Sequence, residues 1–431
     1  MLMIKKNDIF TAEVVDYTSE GLGVCRYDGQ AVFVRGAARG DVLEVRVVKA
    51  TGRAVWGRIE RITEPSEHRI DTDCAVFPAC GGCDLRHVGY GEELRFKREK
   101  VERALRKIGG VEISAADVIG AEALEGYRNK AVIPVGRLGD SVVTGYYRAR
   151  SHDIVPHENC KINAPEINIC AGVTREFLER YRVDTARHLM VRAVDGGVQA
   201  ALVVKGGLEN GCEWVEMLRE KCPNIKSVLV IENPNDDNVP LRGEIECLWG
   251  ELTLIGRMGA FEFELHPFAF AQVNTQQAVR LYDLAREYAG EYGSAADLFC
   301  GAGTLTLWMA RGAGRVAGVE SVPEAVECAR RNAVRSGAGN VEFILGDAGA
   351  VKLPRTEVVT VDPPRSGMDL AAVEAVAAAE PERIIYVSCD PATLARDVKL
   401  FGERGYKADR LGIVDMFPRT RHTECVVRLK K

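Results

Sequence analysis

The sequence predicts an α/β protein: a doubly wound parallel sheet in the last third, a small β-barrel at the start and a mixed α+β region between them. Three observations carry this. From about residue 266, apolar strands alternate with helical stretches, and the strands end in a glycine turn or an acid. Residues 8 to about 64 hold short alternating runs at near-regular spacing, punctuated by glycine, as in barrels of the OB type. The stretch between them shifts between strand and helix patterns without low complexity or a clean repeat. The expected domains are therefore 1–65, 66–265 and 266–431.

A chain of 431 residues is long enough for two or three domains, each burying its own core. With 46% hydrophobic and 28% charged residues it has the composition of an ordinary globular protein. No apolar run is long enough to cross a bilayer, and Met1-Leu2-Met3-Ile4-Lys5-Lys6 is too short for a secretory leader. A cytoplasmic protein with no membrane partner is expected, and a monomer. Thirteen cysteines, an odd number spread over the whole length, do not form a disulfide framework. A net charge of -5 argues against indiscriminate nucleic-acid binding, but a local basic face can still hold phosphates.

In the barrel, Ile9–Val15, Ala31–Val34, Val42–Val48 and Ala54–Ile62 read as strands, broken at Gly21-Leu22-Gly23, Gly36 and Gly40. The segments Ser19-Glu20-Gly21-Leu22-Gly23-Val24, Val32-Phe33-Val34-Arg35-Gly36 and Gly40-Asp41 resemble the TRAM domain, an RNA-binding barrel attached to RNA-modifying enzymes. Given that resemblance, Arg26, Arg35, Arg39, Arg46, Lys49, Arg53 and Arg58 would track a phosphate backbone. The acids of the same stretch nearly balance them, so a solvated face on a structural barrel is the plainer alternative.

Pro65-Ser66-Glu67 marks a boundary, followed by Cys74, Cys80 and Cys83 with five and then two residues between them. Cys160 is a fourth candidate far downstream. Glycines beside the thiolates let backbone wrap a metal centre and offer amide hydrogens to sulfur. Four thiolates suit structural zinc or an iron–sulfur cluster. A zinc ribbon usually pairs two C-x-x-C knuckles, and only one is present, which favours iron–sulfur. Lys97–Lys107 follows as a mixed-charge helix ending at Gly109-Gly110, with a basic excess that could add to an RNA-facing surface. Tyr146-Tyr147-Arg148 could stack on a nucleotide or simply line a strand surface.

The last third opens at Phe268-Ala269-Phe270-Ala271-Gln272-Val273-Asn274, then a helix through Gln277, Leu281, Leu284 and Tyr288. Asp297-Leu298-Phe299-Cys300-Gly301-Ala302-Gly303-Thr304 reads as strand, glycine turn and helix, with Gly301 and Gly303 bringing backbone close to a ligand. Asp297 precedes that loop, and the third glycine of the dinucleotide pattern is missing. Val316–Glu320 is a second strand whose terminal Glu320 suits a ribose diol, and Asp347 ends a third, suited to an adenine edge. Strand, acid and helix repeated in this order resemble the Rossmann-like class I methyltransferases that bind S-adenosylmethionine.

Val358–Val361 runs into Asp362-Pro363-Pro364-Arg365, a loop stiffened by two prolines as a flat-base pocket requires. The fifth strand, Ile384–Val387, delivers Cys389 at its carboxyl end, before the turn Asp390-Pro391 and a helix with Asp397 among its early residues. Cys389 is the nucleophile candidate, and the helix N-terminus beside it is expected to favour the thiolate. Glu424 borders the apolar run Cys425-Val426-Val427, where desolvation suits a base, and His422 has a weaker case.

Taken together, these motifs resemble the RNA 5-methyluridine methyltransferases, in the branch with a TRAM domain and a [4Fe–4S] cluster that acts on 23S ribosomal RNA. The resemblance covers nearly the whole chain. It implies that Gln272, Phe299, Glu320 and Asp362 contact S-adenosylmethionine, that Cys389 is the nucleophile and Glu424 the base, and that Cys74, Cys80, Cys83 and Cys160 hold the cluster. Carbon-5 of uracil is too weak a nucleophile to take a methyl directly, which is why a thiolate that adds at carbon-6 is needed. The alternatives are the same chemistry on a transfer-RNA uridine, a 5-methylcytosine enzyme, or a non-catalytic RNA-binding iron–sulfur protein. A cytosine enzyme would resemble a pattern with a second cysteine in the fourth-strand loop, and Asp362-Pro363-Pro364 has none.

Overall fold

The computed structural model describes residues 4–51, 54–195, 197–235 and 239–431, which leaves Met1–Met3 of the leader reading and Arg53 of the phosphate-tracking set outside the described residues. By contact density the chain forms two compact units, where three domains were expected. The first takes in the described residues of 1–100 with Tyr146–Val155 and Phe417–His422; the second takes in Val101–Gly145, Pro156–Met416 and Thr423–Lys431. No helix among the described residues is long and apolar enough to cross a membrane.

In the first unit, Ile9–Tyr17, Gly23–Tyr27, Gln30–Val34, Val42–Ala50 and Val55–Glu64 close a five-stranded barrel. Strand alternation produces its core directly: Phe10, Ala12 and Val14 point inward with Val32, Val34, Leu43, Val45, Val47 and Val55. Gly57 sits where a Cβ would lie 2.2 Å from Val45 Cγ1, so only glycine permits that closure. The expected basic stripe is partly consumed within the barrel's own unit. Arg39 is bound to Glu99 and Glu92, Arg46 to Glu60, and Arg35 donates to the Cys80 carbonyl. Lys49 lies over the Trp56 ring at 5.4 Å.

The mixed-charge helix spans Tyr90–Ala104 and continues as a π-turn over Leu105–Gly109. Its expected solvated face is corrected at one position. Lys97 is fully buried and donates to Glu93 at 2.7 Å and to the Phe417 carbonyl at 3.1 Å, because the i, i+4 spacing lets the pair neutralise itself away from water.

Among its described residues the second unit holds two large sheets, besides the antiparallel pair Leu254–Met258 and Phe261–Leu265. One is mixed, with Glu244–Gly250, Ile225–Glu232, Gly197–Val204, Ala186–Val194, Lys130–Leu138 and Ser141–Tyr147 side by side, and the helices Pro165–Arg180 and Gly211–Lys221 pack on it and on each other. The other is eight-stranded in the order Val341–Leu345, Arg315–Glu320, Ser294–Leu298, Val358–Val361, Arg383–Ser388, Glu424–Lys430, Lys407–Val414, Asp117–Ile119. Its first five strands are parallel. They read as near-continuous apolar runs because helices cover both faces. Glu424–Lys430 enters antiparallel between Arg383–Ser388 and Lys407–Val414. The order reverses between Ser294–Leu298 and Val358–Val361, and open sheets bind their ligands at the carboxyl edge of such a switch point. The outermost strand, Asp117–Ile119, comes from a stretch in which the sequence showed no strand pattern. It is fixed by pairing with Gly412–Val414 and by the Tyr288 hydroxyl, which donates to Asp117 at 2.7 Å.

Candidate active site

Two strand ends create the centre of the site. The antiparallel register closes at Ser388 and Cys425, and just beyond that pair Cys389 and Glu424 come near enough for the Glu424 carboxylate to act on the Cys389 thiol. Around Cys389 the chain makes a tight elbow: Ser388 Oγ donates to the Asp390 carbonyl at 3.0 Å and accepts the Asp390 N–H at 3.1 Å. The helix Pro391–Gly402 then begins at once, leaving Cys389 half-buried at the cleft.

The expectation that the helix end favours the thiolate is corrected. Burial first, then the Glu424 and Asp362 carboxylates, push the Cys389 thiol up to about 11, with Arg365 opposing them. The reason is local. Asp390 caps the helix, its Oδ1 accepting the N–H groups of Ala392 at 2.8 Å and Thr393 at 3.1 Å, so the positive helix end already has an anion on it.

Glu424 is only 4% exposed, and its carboxyl is raised well above the usual range, by burial first and by Asp362 next, while Arg365 lowers it. Asp362, recessed at the end of Val358–Val361, is raised to about 7 by burial and by Asp297. One thiol and two carboxyls thus crowd the cleft, with the Arg365 guanidinium acting on both Cys389 and Glu424. Groups whose surroundings oppose ionisation at rest can exchange protons near neutral pH, as general acid–base chemistry requires.

The cofactor side is built by the loop after Ser294–Leu298. Phe299 holds a left-handed backbone at φ 62°, and Gly301 and Gly303 take φ 53° and 82°. At Gly303 a Cβ would also lie 2.8 Å from the Phe343 ring, so this position needs glycine on two counts. The Gly301 N–H donates to Glu320 Oε2 at 3.0 Å, and Ser321 and Val322 N–H groups bind Oε1 at 2.8 and 2.9 Å. Glu320 is thereby locked at its strand end. Val322 and Leu345 expose apolar surface beside it, and the exposed Asp347 side chain accepts the Gly349 N–H at 2.8 Å. A wrapped backbone, a fixed carboxylate and exposed apolar surface fit a nucleoside whose diol binds Glu320.

Asp297 departs from its expected place among the ligand contacts. It is fully enclosed, and its two oxygens accept the hydroxyls of Thr306 and Thr360, each at 2.6 Å. It ties the loop's helix to the adjacent strand, where Thr360 is its register partner. Gln272 is buried with its loop anchored from the mixed sheet: Asn129 donates to the Gln272 carbonyl at 3.1 Å, and Lys130 and Arg192 donate to the Pro267, His266 and Ala269 carbonyls. Phe270 in the same loop stands 77% exposed.

Sequence reasoning passed over Tyr282. Its hydroxyl lies 3.3 Å from Thr304 Oγ1, bonds to the Gln272 side chain and faces Asp362 and Asp297, and burial pushes its pKa up. It lies on the predicted helix but outside every motif the sequence offered. His422, the weaker base candidate, belongs to the first unit, where its ring packs edge-on against Phe417.

Cys74, Cys80 and Cys83 lie in the first unit and Cys160 in the second. The Gly82 N–H donates to Cys80 Sγ at 3.3 Å, the kind of amide–sulfur contact the glycines foretold. Among the described residues no group of three or more His, Cys, Asp or Glu side chains is placed to hold a metal ion, so the geometry does not carry the expected cluster.

Comparison with known proteins adds the following. Residues 349–431 match the family model described as tRNA (Uracil-5-)-methyltransferase, and residues 293–378 match a methyltransferase domain. An uncharacterized RNA methyltransferase of Clostridium tetani is 36% identical over 98% of this chain and 96% of its own length. Another from Caldanaerobacter subterraneus is 37% identical over the whole of both chains. The crystal structure of Pyrococcus abyssi tRNA (uracil-54, C5)-methyltransferase in complex with S-adenosyl-L-homocysteine superposes with a TM-score of 0.79 at 27% identity. It covers 97% of this chain and 100% of that one.

Proposed function

Because the chain belongs to the RNA (uracil-5-)methyltransferase family, a class of S-adenosylmethionine-dependent enzymes acting on RNA, we propose that it methylates carbon-5 of a uridine in 23S ribosomal RNA. Cys389 is the nucleophile and Glu424 the base. The observation that carries this assignment is the nearness of Cys389 and Glu424 at two strand ends, with Asp362 and Arg365 beside them.

When bound, S-adenosylmethionine supplies an electrophilic methyl group on a sulfonium. Glu320, Gln272, Phe299, Asp362, Gly301 and Asp347 are the residues proposed to hold it, with Asp297 acting behind the loop. Cys389 loses its proton within the cleft, where Asp362, at about 7, is a suitable acceptor. The thiolate adds to carbon-6 of the uracil, and the electron pair moves through carbon-5 to the carbonyl oxygen. Carbon-5, now nucleophilic, would take the methyl from the donor, whose carbon–sulfur bond breaks with its electron pair left on sulfur as a neutral thioether. Glu424 then removes the carbon-5 proton, and elimination returns the sulfur of Cys389. Because the target ring must meet both sulfur and methyl, the base leaves its stack.

The TRAM-like barrel is proposed to contact RNA, and a [4Fe–4S] cluster on Cys74, Cys80, Cys83 and Cys160 is proposed from cysteine spacing and family resemblance alone. Iron and acid-labile sulfide analysis of protein purified without oxygen tests the cluster: about four of each per chain is expected, and none would remove it. The competing substrate is transfer RNA, on which the Pyrococcus abyssi enzyme acts. Mass-spectrometric mapping of 5-methyluridine in ribosomal and transfer RNA, with and without the gene, decides between them. Loss of a 23S site on deletion is expected, whereas loss confined to transfer RNA would overturn the ribosomal assignment.

A further inference from the structure

The segment Arg396-Asp397 follows Cys389 by about two helical turns, and the chemistry above makes no use of it. Asp397 is fully buried, yet three donors converge on it. Met368 N–H reaches Oδ2 at 2.8 Å, the buried Tyr386 hydroxyl reaches the same oxygen at 2.6 Å, and Arg396 Nε reaches Oδ1 at 2.7 Å. Arg396 is itself half-exposed, and its Nη2 donates onward to the carbonyls of Ser366 at 3.0 Å and Met368 at 2.8 Å. These contacts all grip one short segment. Pro364-Arg365-Ser366-Gly367 is a β-turn closed by the Gly367 N–H to the Pro364 carbonyl at 2.8 Å, with Arg365 at its first corner. Gly367 takes φ 74°, and a Cβ there would lie 2.5 Å from Arg396 Nη2 and 2.6 Å from Asp397 Oδ2. The turn is thus seated against the clamp as closely as a glycine allows.

A buried carboxylate filled by three donors is expensive to assemble and rigid once assembled. This one joins three elements that meet at the cleft: the strand that delivers Cys389, through Tyr386; the helix that follows it, through Arg396 and Asp397; and the loop that carries Asp362 and Arg365. We propose that Asp397, Arg396 and Tyr386 are positioning residues that fix the Pro364–Gly367 turn and so hold Arg365 within reach of Cys389 and Glu424. Resting on the assignment of Cys389 and Glu424, this clamp keeps the Arg365 guanidinium, which acts on both, in register.

The test is Arg396→Gln, a change at a half-exposed side chain that leaves the Asp397–Tyr386 bond in place, together with Asp397→Asn. Methyl transfer to RNA is measured from pH 6 to 9, with the concentration of folded enzyme counted by S-adenosylmethionine binding. For Arg396→Gln, kcat is expected to fall on the order of 10- to 100-fold with cofactor affinity unchanged. Its alkaline-rising limb should move to higher pH, because Arg365 no longer favours the Cys389 thiolate; Arg396→Lys should restore only part of the rate. Wild-type kcat and an unmoved pH profile in Arg396→Gln would overturn the inference, as would a loss in Asp397→Asn that matches the loss of folded enzyme. Cys389→Ala runs alongside: if it keeps activity, the nucleophile assignment fails, and if it is inactive while Arg396→Gln is normal, only the clamp fails.

Discussion

At the scale of single residues, the resting site holds its nucleophile protonated. Cys389, pushed to about 11, is a thiol at neutral pH, with Glu424 and Asp362 among the causes. Replacing Glu424 by Gln removes one of those carboxylates. The midpoint for alkylation of Cys389 by iodoacetamide, followed against pH, should therefore fall in Glu424→Gln; an unchanged or higher midpoint would contradict the arrangement. Cys389→Ala should abolish methyl transfer while S-adenosylmethionine still binds, as equilibrium dialysis would show. Asp297 makes a different prediction. Its pKa is raised from 3.8 to about 6, by burial despite the two threonine hydroxyls. A carboxyl with a raised folded-state pKa penalises the fold when ionised. The penalty is absent below about 4, grows through the intervening range and is complete above about 6, where it reaches about 3 kcal/mol. Thermal melts at pH 5 and pH 8 should therefore show Asp297→Asn gaining stability relative to the native protein as pH rises.

At the scale of elements, what could be read from the sequence was whatever has a period or a punctuation mark. The barrel strands, the apolar parallel strands and the helix Thr275–Ala289, with Asn274 accepting the Gln277 N–H at 3.3 Å, all announce themselves by alternation, by 3.6-residue spacing or by a cap. The strand-end acids and the Gly301/Gly303 loop were legible for the same reason, since a switch point needs them in order. The strand Asp117–Ile119 was not, because three residues carry no period and its place depends on pairing with a partner nearly 300 positions away. Thr306 lies on the helix after the glycine loop and Thr360 on the adjacent strand, and their bonds to Asp297 join separate elements in a way that no local pattern encodes. The helix beside Cys389 was located correctly and its electrostatic effect was not, since Asp390 caps it. Gly303→Ala tests the loop: a left-handed backbone and the close Phe343 ring should cost about 1–3 kcal/mol in stability, and calorimetry should show weakened binding of S-adenosylhomocysteine. Unaltered affinity would mean that the loop does not shape the cofactor site.

At the scale of the whole molecule, a class I methyltransferase sheet supplies the frame, and its antiparallel insertion supplies the chemistry. Threading Glu424–Lys430 next to Arg383–Ser388 is what sets a buried carboxyl near the half-buried thiol, from positions 35 residues apart in the chain. The barrel's cations are partly committed to carboxylates of their own unit, so RNA affinity should depend on salt less steeply than its count of basic residues suggests. The central claim is that Cys389 bonds to the RNA base and Glu424 ends that bond. Glu424→Gln incubated with 23S ribosomal RNA and S-adenosylmethionine should give a slow-migrating protein–RNA band on a denaturing gel, and Cys389→Ala combined with Glu424→Gln should give none. A band that survives loss of Cys389, or efficient methylation by Glu424→Gln without any band, would contradict it.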